Sequence, residues 1–435
     1  MNLLVKNGLI LTINQNNEVI ENSNIVISSG IIKSIGKIPN DIVINKIIDA
    51  KDQIVMPGLV NTHTHIPMTL FRNYADDLPF WMWLTRKIKP AEDHLCPEHV
   101  YWGAKLGILE LIKSGVTCFS DMYFFMEEVA KVSDESGIRA SISGILLDVK
   151  NSESNYLKAA IDFYDNWHGK ADGRINAIFG PHSIYLCGPE LLKATKEEVV
   201  KRNSIIHIHL SESRKEIEDA KEIFGKTPVQ HLADLGLLEC QIAAAHCVHI
   251  SEEDIDILGK NKVNVINNPT SNLKLGNGFS PVVPLIKEGV NVALGTDGPS
   301  SNNNLNLFEE IHLASIVNKG INEDAESLKA ETVLRMATIN GAKALGLDKE
   351  IGSLEVGKRA DLILIDARKP HFFPRHNLVS SLVFSAQASD VRTVLVNGQI
   401  LMEDYEVKTI DFEETILEVE KMSFDILKRV EKSNC

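Results

Sequence analysis

Between about residues 58 and 349 the chain repeats one pattern, a short apolar run followed by an amphipathic helical segment. The runs are LVNTHTH (59–65), VTCFSD (116–121), ASISGI (140–145), NAIFGPH (176–182), IIHIHL (205–210), AAAHCV (243–248), VNVINNP (263–269) and VNVALGTD (290–297). Strands that alternate with helices pair in parallel, because a helical crossover returns the chain to the same end of the sheet. Eight such units suit an α/β protein built as a closed (β/α)8 TIM-type barrel. An open doubly wound sheet is the alternative; it calls for a glycine-rich phosphate turn after an early strand, and the sequence has none there.

Helix ends carry their own signals. A helix is expected from about Pro97 to Ser114, with proline in its first turn and Gly115 just past its end. Another starts at Ser251, where Ser251 and Asp254 resemble a capping box. Further helices are expected over 190–202, 214–224, 305–318 and 325–345.

Outside the repeat the texture is β. LLVK and LILTI flank Asn7-Gly8, a dipeptide suited to a two-residue hairpin turn, and NIVISS and IIKSIG follow. Near the other end come ADLILI (360–365) and VRTVLVNGQIL (391–401), the latter with Asn397-Gly398. Both chain ends are therefore expected to form one small β-sandwich domain, residues 1–57 with 350–408, around a barrel of 58–349. Residues 409–435 read as an amphipathic terminal helix, either a packing element or a homo-oligomer contact.

Composition narrows the function. A net charge of −14 argues against nucleic acid as partner, since a phosphate backbone calls for a basic face. The six cysteines form no CxxC pair, which points to reduced thiols and a cytoplasmic location. Neither a signal-type apolar block nor a membrane span is evident, so no membrane partner is expected.

His63 and His65 stand two apart on one strand, so their rings share a face. At or after the ends of the other runs sit Asp121, His182, His209, His246 and Asp297, and in a barrel these ends open on one site. His63, His65 and His209 with Asp297 make a nitrogen-rich set suited to zinc or another divalent transition metal. A lone histidine at a strand end is more often a hydrogen-bonded core residue; the argument rests on the joint pattern. His207, on the same face as His209, reads as a packed or supporting residue, and Asp121, with no evident partner, as structural. Glu212, three residues after His209, is placed to move protons for a hydrolytic water, which His246 and Asp297 could aim. The fourth run ends without a lysine to bridge two metals, so one ion is expected, with His182 facing the substrate.

These residues resemble the amidohydrolase superfamily, and more closely its branch of deaminases acting on 5′-methylthioadenosine, S-adenosylhomocysteine or 5′-deoxyadenosine. The similar stretches are PGLVNTHTHIPMTLFR, DLPFWMWL, GVTCFSDMY, FGPHSIYLC, HIHLSES, AAHCVH, NNPTSNLKLGNG and LGTDGPSSNNNLNLFEE, with VGKRADLILID and LVNGQIL in the β domain. The resemblance implies metal ligands at His63, His65, His209 and Asp297, a proton shuttle at Glu212, and substrate contacts from Trp83, Glu92, His182 and His246. Glu92 alone would read as a solvated charge; the resemblance makes it the acceptor of ribose hydroxyls.

One departure bears on the substrate. Relatives that take S-adenosylhomocysteine can carry an arginine after the third strand to pair its carboxylate, where this chain has Gly144, with Lys150 as a substitute cation. The expected function is hydrolytic deamination of a small nucleoside, with methylthioadenosine, 5′-deoxyadenosine or adenosine favoured. The rivals are a deaminase of guanine or another aminoheterocycle, a triazine or cyclic-amide hydrolase, and a non-catalytic barrel acting in assembly.

Overall fold

The computed structural model describes residues 2–148 and 155–433. Eight parallel strands form the central sheet: Leu59–Thr64, Val116–Tyr123, Arg139–Leu146, Ile175–Pro181, Ile205–Leu210, Gln241–His246, Asn264–Asn267 and Asn291–Leu294. Nearly every position in them is buried, polar ones included, so none shows the alternation of apolar and exposed residues expected of a strand with one face in water. The first and last strands meet through polar side chains. Asn61 and Thr296 exchange two hydrogen bonds, Thr62 Oγ1 donates to the Leu294 carbonyl at 2.6 Å, and the Asp297 N–H donates to the His63 carbonyl at 2.9 Å. The barrel is closed where the two ends of the histidine–aspartate set emerge.

The helices follow the capping signals. The helix Pro97–Lys113 begins on proline, Arg214–Phe224 is capped by Ser213, and Glu252–Lys260 by the Ser251–Asp254 box. Two glycines in Pro97–Lys113 matter for the site. A Cβ at Gly103 would stand 2.6 Å from the Pro67 carbonyl and one at Gly107 2.8 Å from Ile66 Cβ, so their absence lets the helix press on the segment that leaves His65.

A second sheet draws on both chain ends; eight of its nine strands follow one hydrogen-bonded path, and the ninth, Lys46–Asp49, pairs beside Asn2–Leu11. It curls on itself. The Ala360 N–H donates to the Gly30 carbonyl at 2.8 Å, and Leu3, Val5, Ile25, Ile27, Val55, Leu362 and Leu395 fill the space enclosed. A buried ion pair joins this sheet to the barrel, Arg139 Nε donating to Asp361 Oδ2 at 2.8 Å with both side chains almost fully covered. The terminal helix Phe412–Ser433 packs on Pro97–Lys113, with Asp425 facing His99 at 3.3 Å.

Two expectations are corrected. Asn7-Gly8 is a bulge inside one continuous strand, Asn2–Leu11, because the runs on either side of it pair with the same partner, Val19–Ser28. The helix expected over 325–345 is two helices, Ala330–Met336 and Ile339–Ala344. The chain breaks there because Val60 on the first barrel strand takes the Ala337 carbonyl, at 2.9 Å. Asn397-Gly398 does make a hairpin turn, both residues taking positive φ. The five cysteines among the described residues are all free thiols.

Candidate active site

His63 and His65 leave the first strand with their Nε2 atoms both 3.3 Å from Asp297 Oδ1, which arrives from the end of the eighth strand. His209, from the fifth strand, brings its Nε2 within 3.3 Å of that of His65. Each ring is held through its other nitrogen. His65 Nδ1 donates to the Met122 carbonyl at 2.6 Å, His209 Nδ1 donates to the His182 carbonyl at 2.7 Å, and His63 Nδ1 meets His207 Nε2 at 2.8 Å. A carbonyl only accepts, so His65 and His209 carry protons on Nδ1, and in its neutral form each turns a bare Nε2 lone pair inward.

Two bare nitrogens facing each other repel, and His63 Nε2 is buried without a hydrogen bond. A cation resolves both problems, since ligand atoms about 2.1 Å from one ion lie about 3.0–3.5 Å from each other. The donors present thus fit a divalent metal, with three imidazoles and one carboxylate favouring zinc. His63, His209 and His246 form a second grouping whose nitrogens lie within 4.8 Å of one another, so His246 reaches the same centre. His246 Nδ1 is held by Asn272 Oδ1 at 2.8 Å.

Electrostatics agree with the neutral ligand form at every ring but His65. Burial pushes the His63 imidazole down to about 4 and that of His182 to about 3, and it lowers His207, His209 and His246 as well. His65 differs: burial disfavours its charge, yet the Asp297 carboxylate lifts it to about 9. Burial also opposes the charge on Asp297, but the His63 and His65 rings hold its carboxyl well below the usual range. Its Oδ2 accepts from Ser271 Oγ at 2.6 Å and Ser301 Oγ at 3.0 Å.

Glu212 follows the fifth strand through a turn in which Ser211 takes a φ of +53°. The Glu216 carboxyl clamps that turn, accepting the Ser211 N–H at 3.0 Å and the Glu212 N–H at 2.8 Å. Burial raises the Glu212 carboxyl well above its ordinary value, and the neighbouring Asp297 charge adds to the effect. Burial thus favours the protonated carboxyl, the form that can pass a proton to a bound partner. Glu212 Oε1 accepts from Asn277 Nδ2 at 3.0 Å, and Oε2 lies 3.9 Å from His246 Nε2.

The cleft over this cluster encloses about 70 Å³, and His65, Trp83, Glu92, His182, Glu212, His246 and Asp297 all line it. Eight of the nine residues singled out as ligands or contacts in the sequence line this cleft, His209 among them, and the ninth, His63, is fully buried. Trp83 stacks on Phe80 and donates from Nε1 to the Ser300 carbonyl at 3.2 Å. Glu92 ends a short helix, Lys89–Glu92, that follows a π-helical turn at Leu84–Ile88. Glu92 is half-buried and turns into the cleft, and burial raises its carboxyl. A larger cleft, about 410 Å³, lies beside Asn7, Gln53 and Arg375 at the small sheet and gathers no comparable set.

Asp121 has partners after all. Its Oδ1 accepts the Ile66 N–H at 2.6 Å and Thr64 Oγ1 at 3.1 Å, pinning the chain on both sides of His65, and burial raises its carboxyl to about 6. Sequence reasoning missed Tyr123 and Tyr185, whose buried hydroxyls border the cleft, and the supporting Asn272 and Asn277. Their only signal was membership of the stretches GVTCFSDMY, FGPHSIYLC and NNPTSNLKLGNG. Met126 fills the space a side chain at Gly144 would need, and Lys150 lies outside the described residues.

The amidohydrolase family profile matches residues 54–401, and the chain belongs to that family. The 5-methylthioadenosine/S-adenosylhomocysteine deaminase of Thermoanaerobacter pseudethanolicus is 50% identical over 99% of this chain and 100% of its own length. The 5′-deoxyadenosine deaminase of Methanosarcina acetivorans is 46% identical over 98% and 99% of the two chains. An adenosine deaminase from Xanthomonas campestris, solved with bound zinc, superposes with a TM-score of 0.93 at 33% identity, covering 98% of each chain.

Proposed function

We propose that the protein hydrolyses the C6–amino bond of adenosine derivatives, releasing ammonia and leaving the inosine analogue, with His63, His65, His209 and Asp297 holding one divalent ion. The observation that carries this reading is the buried Glu212 carboxyl in the same small cleft as the imidazole–carboxylate cluster. Relatives that match the whole chain at 46–50% identity and bear deaminase names support it. An ion held there supplies Lewis acidity that brings the pKa of a water near neutrality. Glu212 takes the water's proton and delivers it to the ring nitrogen beside C6, so charge does not build up on the base as the water adds. His246, with Nδ1 fixed on Asn272, presents Nε2 to the attacking oxygen together with Asp297.

Glu92 would accept hydrogen bonds from the ribose hydroxyls, with Trp83 and His182 bounding the nucleoside. The remaining wall is apolar, with Met68, Phe80, Leu84, Phe124, Ile145 and Leu275, and neither lysine nor arginine lines it among the described residues. A carboxylate brought there would lose its water without gaining a cation, which favours an uncharged 5′ substituent.

Ammonia release across a panel tests this. The expected result is turnover of 5′-methylthioadenosine, 5′-deoxyadenosine and adenosine, with kcat/KM about ten-fold or more above that for S-adenosylhomocysteine. Preferential turnover of guanine, a halogenated triazine or a cyclic amide would contradict it.

A further inference from the structure

One short segment touches three groups of the site at once. The helix Pro269–Lys274 and the turn after it present Ser271 to Asp297 Oδ2, Asn272 to His246 Nδ1, and Asn277 to Glu212 Oε1. The segment is itself anchored. Glu310 Oε2 accepts the Thr270 N–H at 3.0 Å, and the Asn277 N–H returns to the Asn272 carbonyl at 2.9 Å. That tight return needs left-handed backbone on both sides of Asn277, which Gly276 (φ +69°) and Gly278 (φ +115°) provide.

We propose that Asn277 is a positioning residue for proton transfer: its amide N–H holds Glu212 Oε1 and thereby confines the travelling proton to Oε2. The inference rests on the deaminase reading given above. A carboxyl oxygen that accepts an N–H cannot also carry a proton pointed at that donor, so the two oxygens of Glu212 are made unequal. Oε1 is occupied by Asn277 at 3.0 Å, while Oε2 lies on the His246 side. Asn277 does not line the cleft, so it acts through Glu212 and not on substrate. Without the amide, the carboxyl can turn about its last bond and place its proton on either oxygen, and only one of these arrangements reaches both the water and the ring nitrogen.

The test is Asn277→Leu, which keeps the side chain's size and removes its donor, compared with Asn277→Gln, which keeps a donor. Asn277→Leu is expected to lower kcat about 10- to 100-fold, the range for a lost hydrogen bond to a charged group, with KM within about two-fold and metal content unchanged. Asn277→Gln should recover part of that loss. Lys274→Ala, on the same segment but directed at Asp76 and Asn303, controls for damage to the helix and should match wild type. Wild-type kcat in Asn277→Leu would overturn the proposal. So would a loss shared in equal measure by KM, metal content and the Lys274→Ala control. The wild-type rate in the same assay separates the two ideas: with turnover present only the positioning role is at stake, and without it the deaminase reading falls too.

Discussion

At the scale of single residues, the site depends on which atom of each side chain is left free. His65 and His209 spend Nδ1 on backbone carbonyls, and so present Nε2. His207 extends this to His63: its Nε2 sits 2.8 Å from His63 Nδ1 and its Nδ1 3.3 Å from Ser120 Oγ, and with the shared proton on His63 Nδ1 this contact leaves His63 Nε2 free to face the cluster. Of the two readings open for His207, packed or supporting, the contact with His63 fits the second. Glu212 is the contrasting case, a carboxyl outside the ligand set. Glu212→Gln should keep the metal, because none of the four donors changes, and its amide oxygen can still accept from Asn277. Its NH₂ group cannot ferry a proton, so kcat should fall about 10²–10⁴-fold. Near-wild-type turnover, measured as ammonia release beside metal content, would remove Glu212 from the mechanism. The convergence of His63 and His65 was legible because imidazoles at a spacing of two on a strand leave a mark in sequence. Glu92 was not, since nothing local distinguishes a carboxylate that turns into a cleft from one that faces water.

At the scale of elements, the helix Leu307–Ile321 braces the site from behind. Its Glu310 is fully buried, accepting the Thr270 N–H and, at 2.7 Å, Asn302 Nδ2. Burial pushes this carboxyl up to about 8 from an ordinary 4.5, and Thr270 Oγ1, otherwise without a partner, can accept its proton. Between these values the folded protein holds a proton that the unfolded chain has released. The stability this group contributes is therefore fully present below about pH 4.5 and is lost as pH rises through 8. Glu310→Gln has nothing to titrate. Its Tm relative to wild type should rise by about 2–5 °C between pH 5 and pH 9 in paired thermal melts. A difference that stays constant with pH would contradict this. The apolar runs of the barrel and the capped helices could be read from the chain, since burial on two faces and a cap both have local signatures. The bulge at Asn7-Gly8 and the break after Met336 could not, because each is set by a distant partner: the strand Val19–Ser28 in one case, Val60 in the other.

At the scale of the molecule, the barrel collects side chains up to 234 positions apart, from His63 to Asp297, and no local pattern reports that convergence. What made it legible was the count and order of the strand–helix units, which implied one open end for all the strand termini. The positive φ angles at Ser211, His246 and Asp297, where the chain turns out of three strands into the site, have no sequence signature in residues that are not glycine. The small sheet is tied to the barrel through Arg139 and Asp361, and Asp361 Oδ1 also accepts the Asn397 N–H at 2.7 Å, so the two parts share one buried charge pair. The candidate site lies at the other end of the strands, where Asp297 meets His63 and His65. The most direct test of the account is to strip the protein of metal and follow ammonia release as zinc is returned. The account predicts no turnover at the start and a linear rise that stops at one equivalent per chain. Full activity in the stripped protein, or a rise that continues to two equivalents, would contradict it.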